Sequence, residues 1–143
     1  MINGILRGIV VLWAAFFALL GFQELVSPTP YFAMFDMAGI DGSANAINAV
    51  RADLSAFFLI AAGGALVGAL VPGWQRALLV PAALFGTACV GRAIGLGIGD
   101  RLTVGITQAM IAEAVSTALM LGALWQFSRP TAAAVNDGAK PTP

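Results

Sequence analysis

Six polar side chains lie inside or at the edge of long apolar runs: Glu24, Arg51, Asp53, Arg92, Gln108 and Glu113. Their chemistry is narrow. A carboxylate accepts hydrogen bonds and pairs with a cation, a guanidinium donates from a planar fork, and an amide does both. The chain has no histidine, which removes histidine-built zinc sites, bis-histidine haem ligation and every hydrolase triad with an imidazole base. Its single cysteine, Cys89, excludes an internal disulfide and a two-cysteine redox relay. The sequence therefore implies no metal and no other cofactor. An enzyme built on it would have to work with one acid-base carboxyl and one arginine.

These groups must be positioned by what surrounds them, which is overwhelmingly apolar. Hydrophobic residues make up 59% of the 143-residue chain and charged residues 10%, against about 45–50% and about 25% in a soluble domain. A bilayer core of about 30 Å takes about 20 helical residues, and four stretches meet that length. They are Gly8 to Val26, Leu54 to Val71, Ala77 to about Leu96, and Thr103 to Phe127. Pro28, Pro30 and Pro72-Gly73 break the chain between them. Ser43 is a candidate N-cap, and nothing from Ala44 to Asp53 breaks a helix, so the second helix can start well before its apolar run. The first run has no small-x-small cleavage site before Ser27, so it reads as an uncleaved anchor rather than a signal peptide.

Short connections after the second and third runs force antiparallel neighbours. The expected fold is all-α, an up-down bundle of four transmembrane helices over residues 1–127, followed by a disordered cytoplasmic tail, 128–143, rich in Ala, Pro and Thr. The one long loop, 27–50, mixes Tyr31, Phe32, Met34, Phe35 and Met37 with Asp36 and Asp41, a composition suited to the headgroup region. Arg7, Arg76, Arg129 and Lys140 stand on one face against Asp137 alone. Arg51 and Arg101 stand on the other against Asp36, Asp41, Asp53 and Asp100. The positive-inside rule then puts both termini in the cytoplasm and the long loop outside. Seven basic and seven acidic residues leave no surplus charge for a nucleic-acid partner.

Topology gives depth. Arg92 is fifteen residues past Ala77, about 22 Å from the cytoplasmic side. Glu113 is ten residues past Thr103, about 15 Å below the outer surface. The arginine stem covers the difference, so the two should meet. Ser116 and Thr117, three and four residues past Glu113, put hydroxyls on its side of the helix. Glu24 closes the first span, Arg51 and Asp53 open the second, and Gln108 lies above Glu113, so all four helices send polar groups into the outer half. A purely structural reading makes the cluster a buried bridge that fixes helix register. Gly64-x-x-x-Gly68 and Gly91-x-x-x-Gly95-x-x-x-Gly99 allow close helix approach.

The run Asn48-Ala49-Val50-Arg51-Ala52-Asp53 opening a span, Gly91-Arg92 late in the next and Glu113 in the last resembles an uncharacterised family of small four-span bacterial membrane proteins, a domain of unknown function. It is more distantly similar to the DoxX-like four-helix group. The resemblance covers residues 5 to 127 and implies a four-helix bundle in the bacterial inner membrane. It singles out Arg51, Arg92 and Glu113 and implies no activity. One departure concerns the loop after Gly-Arg, where relatives carry Gly and Pro and this chain has Asp100-Arg101-Leu102-Thr103.

Two function classes remain in front. One is a non-catalytic accessory or assembly component of the inner membrane, with membrane lipid and a larger membrane protein complex as partners. The other is a binder of a lipid, quinone or similar amphiphile through the Arg/Glu cluster. Transport through Glu113 has less behind it, because no inverted repeat or broken helix pair is visible.

Overall fold

The computed structural model describes residues 2–28 and 44–129. Four helices carry them: α1 (Ile2–Val26), α2 (Ala44–Leu70), α3 (Leu79–Gly97) and α4 (Val104–Phe127). A short 3₁₀ turn, Gln75–Leu78, leads into α3. All four, with that turn counted into the third, are long and apolar enough to cross a membrane, the mark of a multi-pass membrane protein. The expected all-α four-helix architecture is what the chain adopts. The Ser43 cap, the body of the 27–50 loop and the tail beyond Arg129 lie outside the described residues.

The α1 sequence shows why the bundle is turned apolar side out. Val10, Ala14, Phe17, Gly21 and Glu24 are buried, at alternating steps of four and three. Ile5, Ile9, Leu12, Phe16, Leu19 and Phe22 repeat on the opposite face and are exposed. In water such a stripe would drive aggregation; against lipid tails it costs nothing. The buried face is instead small, with Ala61, Ala62, Ala65 and Ala69 of α2 facing inward. Small residues let backbones approach, which is how membrane helices associate without a hydrophobic driving force between them.

Helix boundaries follow local chemistry. α1 starts at Ile2, six residues before the apolar run, so Arg7 falls inside the helix rather than ahead of it. Its guanidinium donates to the carbonyl of Ala69, one of the last-turn carbonyls of α2 that have no partner within their own helix. α2 already runs from Ala44, as the absence of breakers predicts. Pro81 is tolerated in α3 because it lies in the first turn, where an N–H has no intrahelical acceptor. At the far end of α3, Gly99 takes φ +112°, Asp100 N–H donates to Gly95 and Gly99 N–H to Leu96. That is a Schellman cap. Thr103 then caps α4, accepting from Ile106 N–H at 3.2 Å.

The two glycine motifs behave differently. A Cβ on Gly68 would sit 2.6 Å from the Leu78 side chain and 2.9 Å from its backbone nitrogen, and one on Gly64 would press on Val80, Pro81 and Ala77. Those two glycines bring α2 against the start of α3. Gly91 and Gly99 have nothing within 4 Å, and Gly95 faces only the Asp100 side chain. Among the described residues the third-span motif therefore makes no contact with another helix; its later members serve the cap.

Candidate functional site

The helix ends carrying Ile2 and Phe127 lie together. Gln126 donates to Asn3 at 3.0 Å, Arg7 lies 4.6 Å over the Phe127 ring, and Trp13 Nε1 donates to Ser116 Oγ at 2.9 Å. These contacts stitch α1 to α4 up to mid-bundle. Beyond Trp13, no hydrogen bond joins them among the described residues, and of the four neighbouring pairs α1 and α4 touch least. The bundle opens there.

The opening is a cavity of about 540 Å³ to which every helix contributes, within the range of about 300–1,000 Å³ typical of small-molecule sites. Aromatic side chains form its apolar part. Phe17 and Phe85 meet with ring centres 4.8 Å apart, Phe57 stands 5.0 Å from Phe85, and Phe58 5.5 Å from Phe17. Trp13 backs them, 4.4 Å from Phe17 and 5.3 Å from Phe85. Ala88, Ala109 and Ala112 leave the space that these rings do not fill, and Gln23, Glu24, Arg92, Gln108 and Glu113 supply the polar atoms.

Arg92 and Glu113 meet as the depth arithmetic predicts. The Nε of Arg92 donates to Glu113 Oε1 at 2.8 Å, the one ion pair among the described residues. The carboxylate is nearly enclosed, with Glu113 7% exposed as a residue, while the Arg92 side chain keeps 31% of its surface open. Glu113 Oε2 is buried and has no partner among the described residues. Neither nearby hydroxyl serves the carboxylate as the sequence suggested: Thr117 donates to the Glu113 backbone carbonyl at 2.8 Å, and Ser116 is taken by Trp13. Glu24 lines the same cavity, is 3% exposed, and also holds an oxygen, Oε2, with no partner.

Of the six residues singled out by type and spacing, Glu24, Arg92, Gln108 and Glu113 line one cavity, whereas Arg51 and Asp53 do not. Asp53 is exposed. Arg51 is half-buried with its Nε unpartnered, and Ser55 donates to its backbone carbonyl. α2 thus gives the cavity only Leu54, Phe57 and Phe58, not the polar group expected from every helix. Gln23 and the phenylalanine box escaped the sequence reading. A period of 3.6 puts Phe17, Gly21 and Glu24 on one α1 face, which is the signal that would have joined an aromatic to an acid. Comparison with protein-family models, curated proteins and solved structures returned no match.

Proposed function

We propose that this protein binds a membrane amphiphile, its polar head among Glu24, Arg92, Gln108 and Glu113 and its apolar part against the phenylalanine box. The observation that carries this reading is the cavity itself, lined by all four helices and by two buried glutamates, each with one oxygen that has no partner among the described residues. A bundle built only to pack would fill such space, and an unpaired buried polar atom costs about 1–3 kcal/mol. A purely structural bridge explains Arg92 and Glu113. It does not explain Glu24 or the empty volume beside it. The small Ala88 lines the opening as a ligand reading requires, although Gly91 and Gly95 do not take part.

The α1/α4 seam supplies the route. The register fixed by the Asn3–Gln126 and Trp13–Ser116 bonds places Leu20 opposite Ala109, both at the cavity wall. An amphiphile held in lipid would enter sideways between them. In this reading the protein sits in a bacterial inner membrane with both termini cytoplasmic, supported by the basic residues at the terminal end, and its cavity belongs to the outer half. The similarity to the uncharacterised four-span family belongs with the same proposal, since Arg92 and Glu113 are the positions that resemblance marks.

The test is thermal unfolding in mild detergent with a panel of bacterial lipids and quinones, on the native chain and on Ala109→Phe, which puts a ring into the cavity. A specific binder stabilises the fold by about 2.7 kcal/mol at a hundredfold excess over Kd, which appears as a saturable rise in melting temperature, and Ala109→Phe abolishes the rise. No shift with any member in the native chain would return the protein to the accessory role.

A further inference from the structure

The cavity is one cation short. Three charged side chains line it, Glu24, Arg92 and Glu113. Arg92 is answered by Glu113, and Glu24 has no cation within ion-pair distance among the described residues. Arg51, on α2 one turn before Ser55, does not line the cavity. Both glutamates are more than nine-tenths buried, and each has one oxygen, Oε2, enclosed by protein without a hydrogen-bond partner among the described residues. Glu24 is thus an acid at the cavity wall that no cation among the described residues answers.

The walls point the same way. Phe16, Phe17, Phe57, Phe58 and Phe85 all line the cavity, and aromatic faces attract a cation through the ring quadrupole. An acid beside aromatic side chains is the combination by which proteins hold alkylammonium groups. An anionic head beside Glu24 would meet like charge, which repels strongly in a low-dielectric site. A head group with acceptors only, such as a carbonyl, would leave Glu24 unanswered.

Resting on the amphiphile reading above, we infer that the ligand of this cavity is a cationic amphiphile, an alkylamine or quaternary ammonium whose head sits at Glu24 and whose chain runs along the phenylalanines. Arg92 holds Glu113 and leaves Glu24 as the acid free to pair with the ligand. Glu24 supplies the charge that selects.

The experiment uses the full chain in nanodiscs of zwitterionic lipid, with Trp74→Phe and Trp125→Phe leaving Trp13, which packs on the box, as the sole fluorescent reporter of the three tryptophans. Three undecyl probes carrying a bromine at the tail, with a trimethylammonium, a hydroxyl or a carboxylate head, are titrated and quenching is read. The expected result is saturable quenching by the ammonium probe at least tenfold tighter than by the other two, with Glu24→Gln losing that advantage and Glu24→Asp keeping part of it. Equal binding of alcohol and ammonium, an unchanged ranking in Glu24→Gln, or tightest binding of the carboxylate would each overturn the cation inference while leaving an amphiphile site. Absence of saturable quenching by any probe would overturn both readings. If Glu24→Gln does not fold, the ranking of the three probes on the native glutamate decides alone.

Discussion

The two halves of this bundle handle the same materials differently. At the terminal end the polar groups that bridge helices have partners: Arg7 caps α2 at Ala69 and covers Phe127, Asn3 meets Gln126, and Trp13 meets Ser116. There Gly64 and Gly68 let Leu78 and Pro81 touch the α2 backbone. The distal half holds large rings facing alanines, an open volume, and carboxylate oxygens left unmatched. Both halves have charges and small residues, so composition does not separate them. What separates them is pairing. Where small residues face backbone the helices close, and where they face aromatic rings they leave a chamber. Polar groups with protein partners fasten the bundle, and those without partners define a place for something else.

The sharpest way to break this contrast is at the one charge pair of the distal half. Arg92→Leu should cost roughly 3 kcal/mol, at the low end of the range for breaking a buried pair because the guanidinium is partly exposed. Glu113→Gln should cost less, since the amide oxygen still accepts from Arg92. Melting temperatures in one detergent give the order, and the reverse order would mean the carboxylate is held by something other than Arg92.

In the terminal half the corresponding break is Gly68→Ala. The new methyl would collide with both the side chain and the backbone nitrogen of Leu78, an overpacking cost of about 1–3 kcal/mol. Gly91→Ala is its control in the third span. With nothing within 4 Å, it should stay within about 0.5 kcal/mol of the native chain. A loss at Gly91 equal to that at Gly68 would mean that α3 packs on a second copy or a partner.

Between these lies Trp13→Phe, which removes the donor to Ser116 at the boundary of the two halves while keeping the ring. Interhelical bonds of this type average about 0.6 kcal/mol in membrane bundles, so a small drop in thermal stability is expected. Because the contact also fixes the α1/α4 register under the cavity, faster hydrogen exchange should appear in residues 16–24 and 108–113 rather than near Asn3 and Gln126. Uniform acceleration would show that the seam is no division at all.

These differences were partly legible in the chain. Rise per residue and the positive-inside rule suffice to bring Arg92 and Glu113 within reach, because both are set by position along a helix. Rotation about the helix axis is harder. Whether Asp53 faces the interior, or which ring Phe17 stacks on, depends on crossing angles that no single helix encodes. Arg7 shows the same limit, since its role as a cap needs the C-terminus of α2, sixty-two residues away. The glycine motifs are the plainest case: Gly64-x-x-x-Gly68 and Gly91-x-x-x-Gly95 are identical as patterns, yet one meets a neighbouring helix and the other does not. Spacing states that a close approach is possible. Only the partner decides whether it happens.

The central claim, that the distal chamber exists to hold an amphiphile, is tested most directly by weighing what stays bound. Native mass spectrometry of the chain extracted in mild detergent should show a one-to-one adduct with a single amphiphile, and Ala109→Phe, folded by its melting curve, should show the bare mass. Bare protein from both, or the same spread of loosely held lipids on both, would contradict the account and leave the chamber as unfilled space.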